Sequence, residues 1–219
     1  MRNSDIHPVV AILKEEVRQW QVPAVGVVAE QTEYDPFRVL IATVLSLRTQ
    51  DKTTAGASAR LFALADTPET MLTLTPTTIE RAIYPVGFHK TKARTILTIC
   101  RLLIDRYGGR VPDEIDELLT LPGVGRKTAN LVVTLAYHKP GICVDTHVHR
   151  ISNRWGYVKT KTPEETEFAL RAKLPAEYWI IYNDLLVTYG QNLCKPISPH
   201  CSVCTIERYC EKAGVEKHR

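Results

Sequence analysis

The sequence predicts an all-α fold. Apolar residues recur at three- and four-residue spacing through most of the chain. Prolines and small capping residues stand where those runs begin, and the apolar–polar alternation of a strand is sustained nowhere. A chain of 219 residues has room for one large or two small domains.

The elements follow in order. Residues 27–29 form a short apolar run that stays unassigned. Asp35 and Pro36 supply a cap and a first-turn proline for a helix carrying Phe37, Leu40, Ile41, Val44 and Leu45, and Val39 widens that stripe enough for a central, mostly buried helix. Further helices are expected at 53–65, 68–72, 76–83, 91–107, 114–120 and 126–137. Asp145 opens another through Val148, Ile151 and Trp155. Thr162 and Glu165 read as a capping box before Phe168, Ala169, Ala172 and Leu174. The final helix spans 176–189 and ends at Gly190.

Between the helices at 114–120 and 126–137 the chain reads Leu-Pro-Gly-Val-Gly-Arg-Lys-Thr-Ala (121–129). Pro122 ends the first helix, and Gly123 and Gly125 permit a tight turn around Val124. A turn opening a helix directs backbone N–H groups outward at the positive end of the helix dipole, which is an anion site suited to a DNA phosphate. A plain helix–turn–helix connection would use the same glycines. Lys127 follows Arg126 in the first turn, where the dipole and the arginine both favour a neutral amine. It reads as a phosphate-binding lysine or as a nucleophile toward sugar aldehydes. The break at Lys139–Gly141 lets the chain return, so Asp145, a natural N-cap, can also serve as a carboxylate near Lys127.

Six cysteines are present. The chain starts without an apolar leader, so a reducing compartment, the cytoplasm, is expected. Cys100 and Cys143 sit in apolar runs and read as core residues. Cys194, Cys201, Cys204 and Cys210, spaced C-x6-C-x2-C-x5-C, need a ligand, and a closed four-thiolate site suits a metal centre, with no metal at all as the remaining reading. A single C-x2-C pair with short arms wraps a [4Fe–4S] cluster more naturally than a two-knuckle zinc site, and zinc stays the alternative.

Charge adds little. Net charge is +4, too mild to indicate nucleic acid on its own. His89, Lys90, Lys92 and Arg94 cluster beside Phe88, as a solvated face or a DNA contact. No apolar stretch has the length of a membrane span.

Taken together, the block 121–129, Val144-Asp145-Thr146-His147 and the four cysteines strongly resemble the endonuclease III family of helix-hairpin-helix DNA glycosylases, over about residues 35–210. The resemblance implies two helical domains flanking a DNA-binding cleft. One is a six-helix barrel with the hairpin (29–139); the other is a discontinuous iron–sulfur cluster domain (1–28 and 140–219). It also implies a monomer acting on double-stranded DNA that holds damaged bases or abasic sites. Such an enzyme removes oxidised pyrimidines and cleaves the abasic strand, with Lys127 and Asp145 as catalytic residues and the four cysteines as cluster ligands. Gly123, Val124, Gly125, Arg126 and His147 would meet DNA. Two positions depart from the family. Arg48 stands where a space-filling glutamine is usual, and Phe88 follows Gly87 where leucine often forms the wedge. Related adenine glycosylases carry glutamate at the position of Thr43 and lack the lysine, which argues against that branch. The rival readings are a monofunctional mismatch glycosylase of the same fold and a non-catalytic iron–sulfur DNA-binding protein.

Overall fold

The computed structural model describes every residue of the chain except Val22. The described residues are helical and include no strand, as the periodicity leads one to expect. The chain forms two compact units, Pro23–Gly141 and Met1–Val22 with Ile142–Arg219.

The first unit carries α2 (Ala24–Gln31), α3 (Pro36–Ser46), α4 (Asp51–Phe62), α5 (Pro68–Leu72), α6 (Pro76–Ile83), α7 (His89–Tyr107), α8 (Ile115–Leu118) and α9 (Arg126–Tyr137). Its axis is α3. Asp35 caps it by accepting from Arg38 N at 2.8 Å, and Pro36 occupies the first turn, where its missing N–H costs nothing. Phe37 and every residue from Val39 to Leu45 are buried, so α3 is enclosed by α2, α4 and α9. An alanine at Leu40 would cost about 2–5 kcal/mol there. The α7 stripe Ala93, Ile96, Ile99, Cys100 and Leu103 completes this core. The unassigned run 27–29 lies within α2, and α8 is shorter than expected, giving way to turns at Leu119–Leu121.

The second unit carries α1 (Ile6–Glu16), α10 (Thr146–Arg154), α11 (Pro163–Lys173) and α12 (Trp179–Asn192), with short 3-10 turns at Ala176–Tyr178, Cys201–Val203 and Glu207–Tyr209. Trp155, Tyr157, Tyr182 and Tyr189 fill its core, and the Tyr182 hydroxyl meets Ser152 Oγ at 3.1 Å. Thr162 caps α11 by accepting from Glu165 N at 3.1 Å, but Glu165 reaches back to Lys161 N at 2.8 Å rather than to the cap, so only half of the expected box forms.

The last helix departs from expectation at both ends. It opens as a 3-10 turn, and it runs past Gly190 to Asn192. Gly190 is there for packing. A Cβ on it would lie 2.4 Å from His147 Nδ1 and 2.9 Å from Arg150 Nη2, so the glycine lets α10 approach α12.

Candidate functional site

Four groups of residues carry the chemistry, two in each unit. The hairpin comes first. Gly123 adopts φ +74°, which a side chain would resist, and Gly125 caps α9 with no side-chain oxygen to take its first-turn N–H groups. Both glycines are exposed, whereas Val124 is buried and its N–H donates to Leu121 O at 3.2 Å. Val124 therefore anchors the turn in the core, and Gly123 and Gly125 form its outer surface. Arg126 and Lys127, half-buried, open α9 beside it. This is a positive helix end presented by glycine backbone, with an amine in its first turn.

Arg48 and Phe88 form the second group. Both are exposed, and the Arg48 guanidinium lies over the Phe88 ring, 5.5 Å from its centroid. Both sit in the left-handed region, with φ +54° and +58°, a conformation that costs a non-glycine residue about 1 kcal/mol or more. Beneath them lies Lys92. It was expected among the surface cations, but it is buried. Its Nζ donates to Leu45 O at 2.8 Å, Leu47 O at 2.6 Å and Thr49 Oγ1 at 3.3 Å. Position 92 lies on the inner face of α7 and below the end of α3, whose last carbonyls have no helical partner, and an ammonium satisfies them. Burial lowers Lys92 to about 8. Thr49 Oγ1 also accepts from Gly87 N at 3.2 Å. Gly87 has no room for a side chain, because a Cβ would lie 2.5 Å from Arg48 O.

In the second unit Asp145 is the N-cap of α10. One carboxylate oxygen accepts from His147 N at 2.8 Å and Val148 N at 2.9 Å. His147 Nδ1 stands 3.1 Å from Arg150 Nη2, which also donates to Cys194 O at 2.9 Å. At the far end of the same helix, buried Arg154 donates to Lys195 O and Pro196 O, both at 2.7 Å, and to Cys194 Sγ at 3.5 Å. One nine-residue helix thus begins at the aspartate and ends in the cysteine loop.

Cys194, Cys201, Cys204 and Cys210 line one cavity together with Arg154, Tyr189, His200 and Lys212, and all four are free thiols. Among the described residues no three His, Cys, Asp or Glu side chains stand close enough to hold a metal ion. Polar groups face the sulfurs. The Tyr189 hydroxyl lies 2.9 Å from Cys204 Sγ, and Lys212 N donates to Cys210 Sγ at 3.3 Å. Burial raises the Cys201 and Cys204 thiols and pushes Cys210 up to about 11. Burial thus favours the protonated form of these three thiols, and a cationic centre is what would draw their protons off. Cys100 and Cys143 are buried apart from this cavity.

The roles of Lys92, Thr49, Gly190 and Arg154 escaped the sequence reading, which placed Lys92 among the surface cations and Gly190 at a helix end. A lysine or arginine at helical spacing reads as a solvated face, and nothing local reveals that its partners are carbonyls distant in sequence.

Comparison with known proteins places this arrangement. The family model of HhH-GPD superfamily base excision DNA repair proteins matches residues 41–176. The endonuclease III of Thermotoga maritima is 51% identical over 179 residues, covering 82% of this chain and 84% of that protein. Endonuclease III homolog 2, chloroplastic, of Arabidopsis thaliana is 44% identical over 189 residues, and there the chain spans only 49% of the relative's length. A trapped endonuclease III–DNA covalent intermediate in an estranged-adenine complex superposes with a TM-score of 0.84 at 33% identity, covering 97% of each chain. No helix among the described residues is long and apolar enough to cross a membrane. The chain belongs to the HhH-GPD superfamily of base excision DNA repair proteins and, within it, to the endonuclease III family.

Proposed function

We propose that the protein is a bifunctional DNA glycosylase and abasic-site lyase that acts as a monomer on double-stranded DNA and removes oxidised pyrimidines. The observation that carries this reading is the position of Lys127, in the first turn of α9 directly after a hairpin whose cap is glycine. The hairpin N–H groups hold a backbone phosphate, and the lysine that follows in the first turn supplies the amine for chemistry. The damaged nucleotide is swung out of the duplex because its C1′ cannot be reached in the stack. Lys127 Nζ forms a bond to C1′ as the glycosidic C–N bond breaks, and the base leaves with a proton. The sugar ring opens to an iminium, which withdraws electrons so that a C2′ proton is lost. The C3′–O bond then breaks, leaving an unsaturated sugar on one strand end and a 5′ phosphate on the other. Asp145 offsets the positive charge that grows on the sugar as the base departs. Arg126 and His147 contact phosphate, and Arg48 and Phe88 occupy the space left in the stack.

The cysteine cavity fits a [4Fe–4S] cluster. Four thiols share one space, a guanidinium and a backbone N–H donate to the sulfurs, and a tyrosine hydroxyl stands within hydrogen-bond reach of one of them, as outer groups around thiolate ligands do. When bound, the cluster supplies iron–sulfur bonds that hold Cys194, Cys201, Cys204 and Cys210 in one cage. Arg150 and Arg154 couple that cage to α10 and so to Asp145 at its start. A duplex carrying one oxidised pyrimidine, incubated with and without borohydride, tests the reading. The expected result is base loss, strand scission and a reduced covalent adduct. Base loss with neither scission nor adduct would replace it with a monofunctional glycosylase.

A further inference from the structure

The Arg48 turn and the Phe88 turn are far apart in sequence, yet they share one lock. Lys92 Nζ reaches Leu45 O, Leu47 O and Thr49 Oγ1, on the segment that carries Arg48. Lys92 itself lies on the first turns of α7, the helix that Phe88 caps. Thr49 Oγ1 closes the loop by accepting from Gly87 N, and Gly87 gives the space in which Arg48 O sits. Two non-glycine residues in the left-handed region persist only where their surroundings over-determine them, and this lock surrounds both. With the turns fixed, the guanidinium and the ring are already stacked at 5.5 Å.

We propose that Lys92 and Thr49 are positioning residues that join the Arg48 and Phe88 turns into one pre-stacked plug, which enters the duplex as a rigid body when a nucleotide leaves the stack. The inference rests on the proposed action on duplex DNA. It adds that neither plug residue works alone, and that the base opposite the lesion meets a cation whose position is set from α7. Rigidity matters because a plug that must first order itself fills the gap less often than one already in place.

The test uses the full-length holoprotein and a duplex containing an uncleavable tetrahydrofuran abasic analogue opposite 2-aminopurine. Insertion of the plug unstacks the fluorescent base, so no chemistry is needed for the signal. Wild type is expected to bind and raise the fluorescence. Lys92→Met, which keeps the length and removes the donor, should at saturation give less than about half that rise, and base excision from duplex should slow roughly tenfold to a hundredfold. Borohydride trapping on a preformed abasic aldehyde should fall far less, because Lys127 and the hairpin are untouched. Thr49→Val should follow Lys92→Met, and Thr49→Ser, which keeps the hydroxyl, should restore the wild-type rise. If Lys92→Met fails to fold, the Thr49 pair decides. Equal fluorescence rises in wild type, Lys92→Met and Thr49→Val would overturn the proposal, as would equal losses in excision and trapping, which would mean a merely structural role. A wild type that raises the fluorescence but neither excises nor traps would overturn the proposed function and leave the plug standing.

Discussion

The guanidinium of Arg48 lies over the ring of Phe88, 5.5 Å from its centroid, although the two residues belong to different turns. The ring covers one face of the guanidinium, which can only donate hydrogen bonds. Phe88, 61% exposed, has no role in the core of its unit.

The first prediction concerns that pair. Phe88→Ala should slow excision from duplex by about one to two orders of magnitude, since unstacking a base step costs a few kcal/mol that the ring no longer offsets. Binding to undamaged duplex should change little. Single-turnover rates beside binding isotherms check this, and an unchanged excision rate would show that Phe88 does not enter the stack.

Arg154 gives the second. Anaerobically purified protein should contain about four iron atoms and four sulfides per chain. Arg154→Met leaves two loop carbonyls and one sulfur without their buried donor, which should destabilise the second unit by about 3 kcal/mol and lower iron retention. Iron analysis and thermal melts read both effects. Stoichiometric zinc with no iron would contradict the cluster assignment.

The third concerns pH. Asp184, half-buried in α12, is raised by burial to about 6. Between its unfolded value near 4 and 6 the folded state holds the proton more tightly, so this residue's contribution to stability falls as pH rises through that window. Asp184→Asn should therefore be more stable than wild type at pH 7.5, by on the order of 1–3 kcal/mol, and no more stable near pH 4. Denaturant titrations at the two pH values measure the difference. A gain that is the same at both would assign the effect to packing.

Much of this architecture is legible in the sequence. The α3 stripe, the proline starts and the thread from glycine hairpin to Lys127 are local patterns, and each maps to a local structure. Lys92 is not legible, because its partners are carbonyls distant in sequence and a lysine beside Phe88 reads as one more surface cation. Gly190 reads as a helix stop because glycine often is one; only the neighbouring α10 reveals that the missing Cβ is space for His147. The α2 helix is short, and its small apolar residues carry too weak a period to separate helix from strand.

Asp145 supports the fourth prediction. Asp145→Asn keeps a capping oxygen for His147 N and Val148 N but removes the charge. Base excision should slow by about two to four orders of magnitude. Cleavage at a preformed abasic aldehyde should suffer less, because that carbon already reacts with an amine. Single-turnover rates on the two substrates separate the effects. Loss of the folded state instead would mean that the residue acts only as a cap.

The most direct test of the central claim is borohydride trapping by wild type and by Lys127→Gln on the same abasic duplex. Wild type should give a covalent protein–DNA adduct. Lys127→Gln should give none while still binding the tetrahydrofuran duplex, because the phosphate-binding groups of the hairpin belong to the backbone. An adduct formed by Lys127→Gln would place the nucleophile on another amine and contradict the account.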